Sequence, residues 1–209
     1  MIRVTGAAGF VGRHVCSLLS GQGAELLAVD RVCRGPVAWQ TATGELTDDA
    51  FLSALFAGRR IDLVIHLASL LNGASRRQPQ EALRVNVGAS LSLIELAVRT
   101  RVGRFVYGSS ISAYGTRRLA EGARVSEAEP AAPTDVYGVT KRYVEIVGET
   151  SHRQGALGFV SLRMPIVVGA DASGTASPWR SRDAPEPSSR FRFDPTSGSR
   201  WRTWRTWRR

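Results

Sequence analysis

The stretch MIRVTGAAGFVG, residues 1–12, runs from apolar residues straight into three glycines, Gly6, Gly9 and Gly12, each separated from the next by two residues. Residues 1–5 read as a short strand. Val11, Val15, Leu18 and Leu19 then recur at helical spacing until Gly21 and Gly23 stop the helix. A glycine triplet between a strand and a helix has a physical use. Gly6 permits the tight turn, Gly9 lets backbone approach a pyrophosphate, and Gly12 lets the helix pack closely. The phosphates then meet unpaired N–H groups at the helix N-terminus. The triplet alone is a weak signal; Asp30, ending the next strand 18 residues after Gly12, strengthens it. Asp30 is expected to accept from the ribose hydroxyls and to repel a 2′-phosphate, which favours NAD over NADP. Arg31 and Arg34 stand close enough in sequence to oppose that preference.

Outward from this turn, strand and helix patterns alternate. Residues 25–30 (ELLAVD) and 39–43 read as strands, Thr47 is expected to cap a helix through Phe56, and residues 61–67 (IDLVIHL) read as a buried strand. Pro79 opens a helix to about Thr100, residues 105–107 form the next strand, Asp135 caps a helix over 136–153, and residues 159–163 form another strand. Such alternation implies an α/β fold with a doubly wound parallel sheet, the Rossmann arrangement. The pattern stops near residue 180. Residues 180–209 set nine arginines against Asp183, Glu186 and Asp194 and end in WRTWRTWRR. Two segments are therefore expected: a dinucleotide-binding domain over 1–180, and an anomalous tail over 181–209, disordered or frameshifted.

Composition narrows the partners. The 209 residues suit one domain, or one with a partial second, and 43% hydrophobic content supports a sizeable core. The net charge of +10 sits largely in the tail, so a nucleic-acid partner is not expected. No apolar run reaches the roughly 18 residues of a membrane span, and Ile2–Val4 opens directly on strand residues, so neither membrane nor cleaved leader is expected. Cys16 and Cys33 lack metal-ligand spacing and read as small packed thiols in a reducing cytoplasm. His66, in IHLAS, has no ligand partners in sequence and reads as a packed strand residue; no metal site is expected.

Three side chains carry candidate chemistry. Tyr137 and Lys141, four apart, fall on one helix face. A phenol with a pKa near ~10 is a poor base at neutral pH. A lysine ammonium beside it, together with a positive nicotinamide, would stabilise the phenolate and let Tyr137 exchange a proton while hydride moves. Lys141 is the only lysine among 28 basic residues, so its place was kept against a general drift to arginine. Gly108-Ser-Ser-Ile-Ser-Ala-Tyr-Gly115 follows a strand. Ser110 there would face the crevice and hydrogen-bond a reacting oxygen, while Ser109 reads as a turn serine satisfying nearby backbone.

With TGAAGFVG, DLVIHLA, NVGAS, FVYGSSISAYG, SEAEPAAPTDVYGVTK and LRMPIVVG in that order, residues 1 to about 175 resemble the extended short-chain dehydrogenase/reductases, the NAD-dependent epimerases and dehydratases of sugar nucleotides. The resemblance implies Ser110, Tyr137 and Lys141 as the catalytic set. It implies NAD contacts at Gly6, Gly9, Phe10, Val11, Gly12, Asp30, Glu45, Leu46, Leu67, Ala68, Ser69, Asn86, Tyr137 and Lys141. In the family a C-terminal lobe closes over the substrate; here only the tail follows residue 180, so that lobe is expected to be largely missing. Helices over 79–100 and 136–153 often pair between subunits in the family, which leaves a homodimer open. Where the dehydratases carry acids after the catalytic hydroxyl, this chain has Ile111 and Ser112, which disfavours dehydration. Leu162-Arg-Met-Pro-Ile166 lacks the asparagine usual in nucleotide-sugar epimerases, which leaves room for a smaller substrate. Three readings stay open: a sugar or sugar-nucleotide epimerase, a dehydrogenase of a sugar acid or hydroxy acid, and a catalytically dead NAD-binding fragment. Arg76-Arg77 reads as a solvated loop pair.

Overall fold

The computed structural model describes residues 1–33, 36–58, 60–115, 125–167 and 169. The expectations for Arg34 and for the tail over 181–209 fall outside these residues. Six strands form one sheet: β1 (Ile2–Thr5), β2 (Leu26–Asp30), β3 (Gln40–Thr43), β4 (Leu63–His66), β5 (Arg104–Ser110) and β6 (Gly158–Met164). The order is β3-β2-β1-β4-β5-β6 and every pairing is parallel, as the alternating pattern requires. The chain winds one way from β1 to β3 and the other way from β4 to β6. A crevice therefore opens between β1 and β4, at the carboxyl ends of the strands.

Helices α1 (Phe10–Gly21), α2 (Asp49–Phe56), α3 (Asn72–Arg77), α4 (Pro79–Ala82), α5 (Ser90–Arg99) and α6 (Val136–Arg153) connect the strands, with a π-helical stretch over Leu83–Ala89 and a 3₁₀ turn over Ile111–Tyr114. One apolar cluster joins Val29, Val64 and Phe105 of the sheet to Leu52 and Phe56 of α2, Leu93 and Ile94 of α5 and Val144 of α6. A smaller one, under α1, gathers Val4, Cys16, Leu26 and Ala28. These are the alternate sides of near-continuous apolar strands, as expected of a parallel sheet covered on both faces.

Several local expectations are corrected. The cap of α2 is Asp48, whose carboxylate accepts from Ala50 and Phe51 N–H at 2.9 and 3.2 Å; Thr47 lies one residue outside. Arg76 and Arg77 are exposed as expected, yet they occupy the last turn of α3, where cations oppose the negative helix end. β5 does not stop at Tyr107: Gly108, Ser109 and Ser110 pair with Leu162, Arg163 and Met164 of β6. Gly and Ser suggest a turn by composition, and the neighbouring strand overrides that preference. The helix opened by Pro79 does run to Arg99, interrupted by the π stretch.

The glycine turn after β1 is sterically committed. Gly6 has φ +72°, and a Cβ on it would lie 2.5 Å from the Ala68 nitrogen; a Cβ on Gly12 would collide with the Gly6 carbonyl oxygen. Gly21, in the last turn of α1, has open space around it and no left-handed backbone. Gly12→Ala is expected to lower stability by more than about 3 kcal/mol. Gly21→Ala is expected to raise it by about 0.5–1 kcal/mol. Urea unfolding of the two variants, followed by circular dichroism, checks both signs.

Candidate active site

The rim of the crevice is built from backbone. Gly9 is the N-cap of α1 and supplies no side-chain cap, and the first turn holds no acidic residue. The first N–H groups of this helix are thus unsatisfied by any cap and face the turn, an arrangement suited to an anion. Among the described residues a Cβ on Gly9 would meet only the Gly6 carbonyl, at 3.1 Å. Asp30, at the end of β2, accepts from Ala8 N–H at 2.9 Å through one oxygen and from Arg31 N–H at 2.7 Å through the other. It braces the turn and keeps acceptor capacity free at the rim. Leu67, Ala68 and Ser69 leave β4 on the opposite side of the crevice and are part-buried. Glu45 is exposed, whereas the Leu46 side chain is buried in the larger apolar cluster, so only its backbone is available to a ligand.

A buried polar chain connects this rim to α6. Ser90 donates to the Asn86 carbonyl at 2.6 Å, so its oxygen is left to accept from His66 Nε2–H at 2.8 Å; His66 Nδ1 then accepts from the Thr5 hydroxyl at 2.6 Å. The contacts thus select the neutral Nε2–H tautomer. Burial, helped by the nearby Lys141 charge, drives the ring's pKa down to about 3. Asn86, 1% exposed, accepts from Leu70 N–H at 2.7 Å and donates to Leu70 O at 3.0 Å, gripping the loop after β4 by both backbone groups. It also donates to Thr140 of α6 at 3.3 Å.

Helix α6 brings in the remaining groups. Asp135 caps it as expected, accepting from Gly138 N–H at 2.7 Å. Gly138 sits so close to the Ser112 carbonyl that any Cβ would clash, which sets Tyr137 against the end of β5. Burial pushes the Tyr137 phenol up in pKa, and the hydroxyls of Ser69 and Ser110 pull it back in part. Lys141, 2% exposed, donates from Nζ to the Gly108 carbonyl at 2.8 Å, and lies 5.4 Å from the centre of the Tyr137 ring and 4.9 Å from that of Tyr107. Burial brings its pKa down to about 7, against an upward pull from Glu145.

Of the two serines, Ser109 departs from the part expected of it. Ser110 is the one that satisfies local backbone, accepting from Ser112 N–H at 3.1 Å, while still facing Tyr137. Ser109 donates instead to the fully buried Glu145. Glu145 also accepts two bonds from Arg163, at 2.9 and 2.8 Å, and one from Arg142 at 3.0 Å. Sequence reasoning missed Glu145 and Arg163. The available signal was spacing: Tyr137, Lys141 and Glu145 follow one another at intervals of four, so the acid shares the buried face of α6. Ile111 is 46% exposed and Ser112 part-buried in the 3₁₀ turn. Among the described residues no group of three or more His, Cys, Asp or Glu is placed to hold a metal, and no helix is long and apolar enough to cross a membrane.

Known proteins share this arrangement of elements. A model of the NAD dependent epimerase/dehydratase family matches residues 2–192. The chain is 32% identical over 178 residues to the UDP-glucose 4-epimerase of Halalkalibacterium halodurans, covering 83% of this chain and 52% of that protein. It is 31% identical over 187 residues to the UDP-glucose 4-epimerase of Haemophilus influenzae, covering 83% and 55%. The crystal structure of Thermus thermophilus UDP-glucose 4-epimerase in complex with NAD matches with a TM-score of 0.71 at 28% identity, over 78% of this chain and 54% of that one. That of Thermotoga maritima UDP-glucose 4-epimerase with UDP-glucose matches with a TM-score of 0.68 at 30% identity, over 78% and 54%. The chain spans about half the length of the curated relatives it matches.

The buried histidine gives a pH prediction. Its folded pKa of about 3 lies below the ordinary 6.5, so the folded state binds fewer protons than the unfolded chain between those values. Stability from this group is full above 6.5 and falls as pH drops toward 3. His66→Gln is expected to flatten the fall in urea midpoint between pH 6.5 and about pH 5, a window above most carboxylate titrations. An unchanged slope in the variant would place the acid sensitivity elsewhere.

Proposed function

We propose that this chain, which belongs to the NAD dependent epimerase/dehydratase family, is the NAD-binding half of a sugar or sugar-nucleotide epimerase. The observation that carries the reading is the pair of part-buried Tyr137 and buried Lys141, held against the carboxyl end of β5 across the crevice from the uncapped start of α1. The names of the relatives, UDP-glucose 4-epimerases with NAD or UDP-glucose bound in their crystals, support the class of cofactor and substrate.

In this reading the N–H groups of Phe10, Val11 and Gly12 receive the pyrophosphate, and Asp30 accepts from the adenosine ribose. Glu45 and the Leu46 backbone border the adenine, with Leu67, Ala68 and Ser69 along the opposite wall. Asn86 acts from behind by holding that wall in place through Leu70. NAD bound there supplies a hydride acceptor that can become a donor. Tyr137 Oη takes the proton of the substrate hydroxyl and returns it, and the Ser110 hydroxyl holds the same oxygen. Lys141 places its charge beside the Tyr137 ring, with burial lowering its pKa and Glu145 opposing that fall. Neither Ile111 nor Ser112 supplies the carboxylic acid that would drive loss of water.

The run Leu162–Ile166 has no asparagine, which favours a second reading as a dehydrogenase of a sugar acid or hydroxy acid. An epimerase returns its hydride; a dehydrogenase accumulates NADH. A third reading, an NAD-binding chain without turnover, draws on the half-length match to the relatives. A homodimer belongs to the first reading: Val139, Tyr143 and Ile146 form an exposed apolar stripe on α6, at 51%, 50% and 46% exposure. Sedimentation of the chain and of Tyr143→Arg is expected to show a dimer and a monomer respectively.

Calorimetric titration is expected to show tighter binding of NAD than of NADP; equal binding would remove the role given to Asp30. Tyr137→Phe is expected to leave NAD affinity within about twofold and to lower turnover of UDP-glucose by about 10²-fold or more. Retention within about tenfold, ~1.4 kcal/mol in the barrier, refutes the proton-transfer role. NAD binding without turnover in the unsubstituted chain selects the third reading.

A further inference from the structure

The Ser109–Glu145–Arg163 cluster has no place yet in the chemistry above. Glu145 is 0% exposed and receives four hydrogen bonds: one from Ser109 of β5, two from Arg163 of β6 and one from Arg142 of α6. Arg142 is shared with Glu149, at 3.0 Å, so the two acids and two arginines balance. Arg163 also stacks over Tyr114 of the 3₁₀ turn, 4.4 Å from the ring centre. Burying such a cluster carries a desolvation penalty that a well-packed apolar group would avoid, so stability alone is a weak reason for it.

Position supplies a better reason. Glu145 lies one helical turn beyond Lys141 on the same buried face. Its Ser109 partner adjoins Gly108, whose carbonyl holds the Lys141 ammonium, and Ser110, which faces Tyr137. Among the described residues the charged and titratable groups around Lys141 are His66 from β4, Tyr107 from β5, and Tyr137 and Glu145 from α6. His66 is neutral, and burial raises the pKa of the Tyr107 and Tyr137 phenols, so neither is an anion at neutral pH until a positive nicotinamide lies beside Tyr137. Glu145 is therefore the anion among them, and its bonds from Arg163, Ser109 and Arg142 hold it ionised against the upward push of burial.

We propose that Glu145 is a positioning residue of this site: through Ser109 it fastens the end of β5 to α6, and through its carboxylate it keeps Lys141 charged beside Tyr137. The proposal rests on the functional reading above for its importance, and not for its test. It makes the site's proton inventory depend on a residue that touches neither cofactor nor substrate.

Lys141 is the only lysine in the chain, so lysine-selective ¹³C labelling at Cε gives a single side-chain resonance whose pH titration needs no ligand. In the unsubstituted chain its midpoint is expected at about 7. Glu145→Gln keeps the shape and removes the charge, and is expected to lower the midpoint by about one unit or more. A merely structural bolt, once loosened, would let water reach Lys141 and move the midpoint up. An unchanged or higher midpoint in Glu145→Gln thus overturns the proposal. Should that variant not fold, Glu145→Met decides. It removes the charge with an apolar side chain of similar length, so a fall of about one unit or more supports the proposal, and no shift, or an upward one, overturns it. If the midpoints move as stated while NAD fails to bind, the functional reading falls and this coupling stands. If NAD binds and the midpoint does not move in Glu145→Gln, the coupling falls alone.

Discussion

Parallel pairing forces all six strands to end on the same rim, and the contents of the crevice follow from that constraint. A parallel strand needs a helical crossover before the next strand can begin. Each strand's carboxyl end therefore runs into a turn or loop at the top of the sheet. At that level lie the glycine turn after β1, Asp30 at the end of β2, Leu67 to Ser69 after β4, and Gly108 to Ser110 closing β5. The reversal between β1 and β4 then separates two of these loops and leaves room between them. Lys141 is drawn into the same level because the Gly108 carbonyl, near the end of β5, accepts a hydrogen bond from its ammonium.

A parallel sheet by itself does not hold those loops at fixed heights. That work falls to buried polar groups, each satisfied by a partner on a different element. Thr5, His66, Ser90 and Asn86 run from β1 through β4 into the helix behind, and Asn86 reaches both Leu70 and Thr140. A parallel series, Lys141 to Gly108 and Ser109 to Glu145, ties β5 to α6. Such networks fix geometry more than they add stability, because a single missing partner leaves a buried dipole or charge exposed to a low dielectric. The neutral His66 and the ionised Glu145 illustrate two outcomes of equal burial: the ring is given one donor and one acceptor, whereas the carboxylate is given donors alone.

What could be read from the sequence was local. The glycine triplet, Asp30 and the Tyr137–Lys141 interval are short patterns whose geometry follows from one turn or one helix, and the alternation of periods was enough to imply a parallel, doubly wound sheet. Features set by a distant partner were not legible. Ser109 and Ser110 look alike in a row, and only the packing of α6 decides which of them meets Glu145. Arg163 finds Glu145 across 18 residues and two elements, and nothing in LRMPI marks it. β5 outran its expected end because β6 lay alongside Gly108 to Ser110. The cap of α2 moved by one residue, from Thr47 to Asp48, where two adjacent side chains could serve and the longer reach of the carboxylate bound two N–H groups.

The π stretch over Leu83–Ala89 has a consequence for how this fold tolerates insertions and deletions. A π-helical stretch widens the turn and sets the residues on its two sides out of the phase that an uninterrupted α-helix would give them. Asn86 sits within it, turned toward Leu70, while Leu93 and Ile94 of α5 keep their places in the apolar cluster. Each residue advances an α-helix by about 100°. Deleting one residue from 83–85 would let the stretch close into plain α-helix with the segments on its two sides left near their present angles, whereas the same deletion in an uninterrupted α-helix would rotate one side by about that angle relative to the other. Length variation in this helix is thus a problem of angular phase, and the widened turn is where the two halves, one facing the loop after β4 and one facing the core, are brought into register.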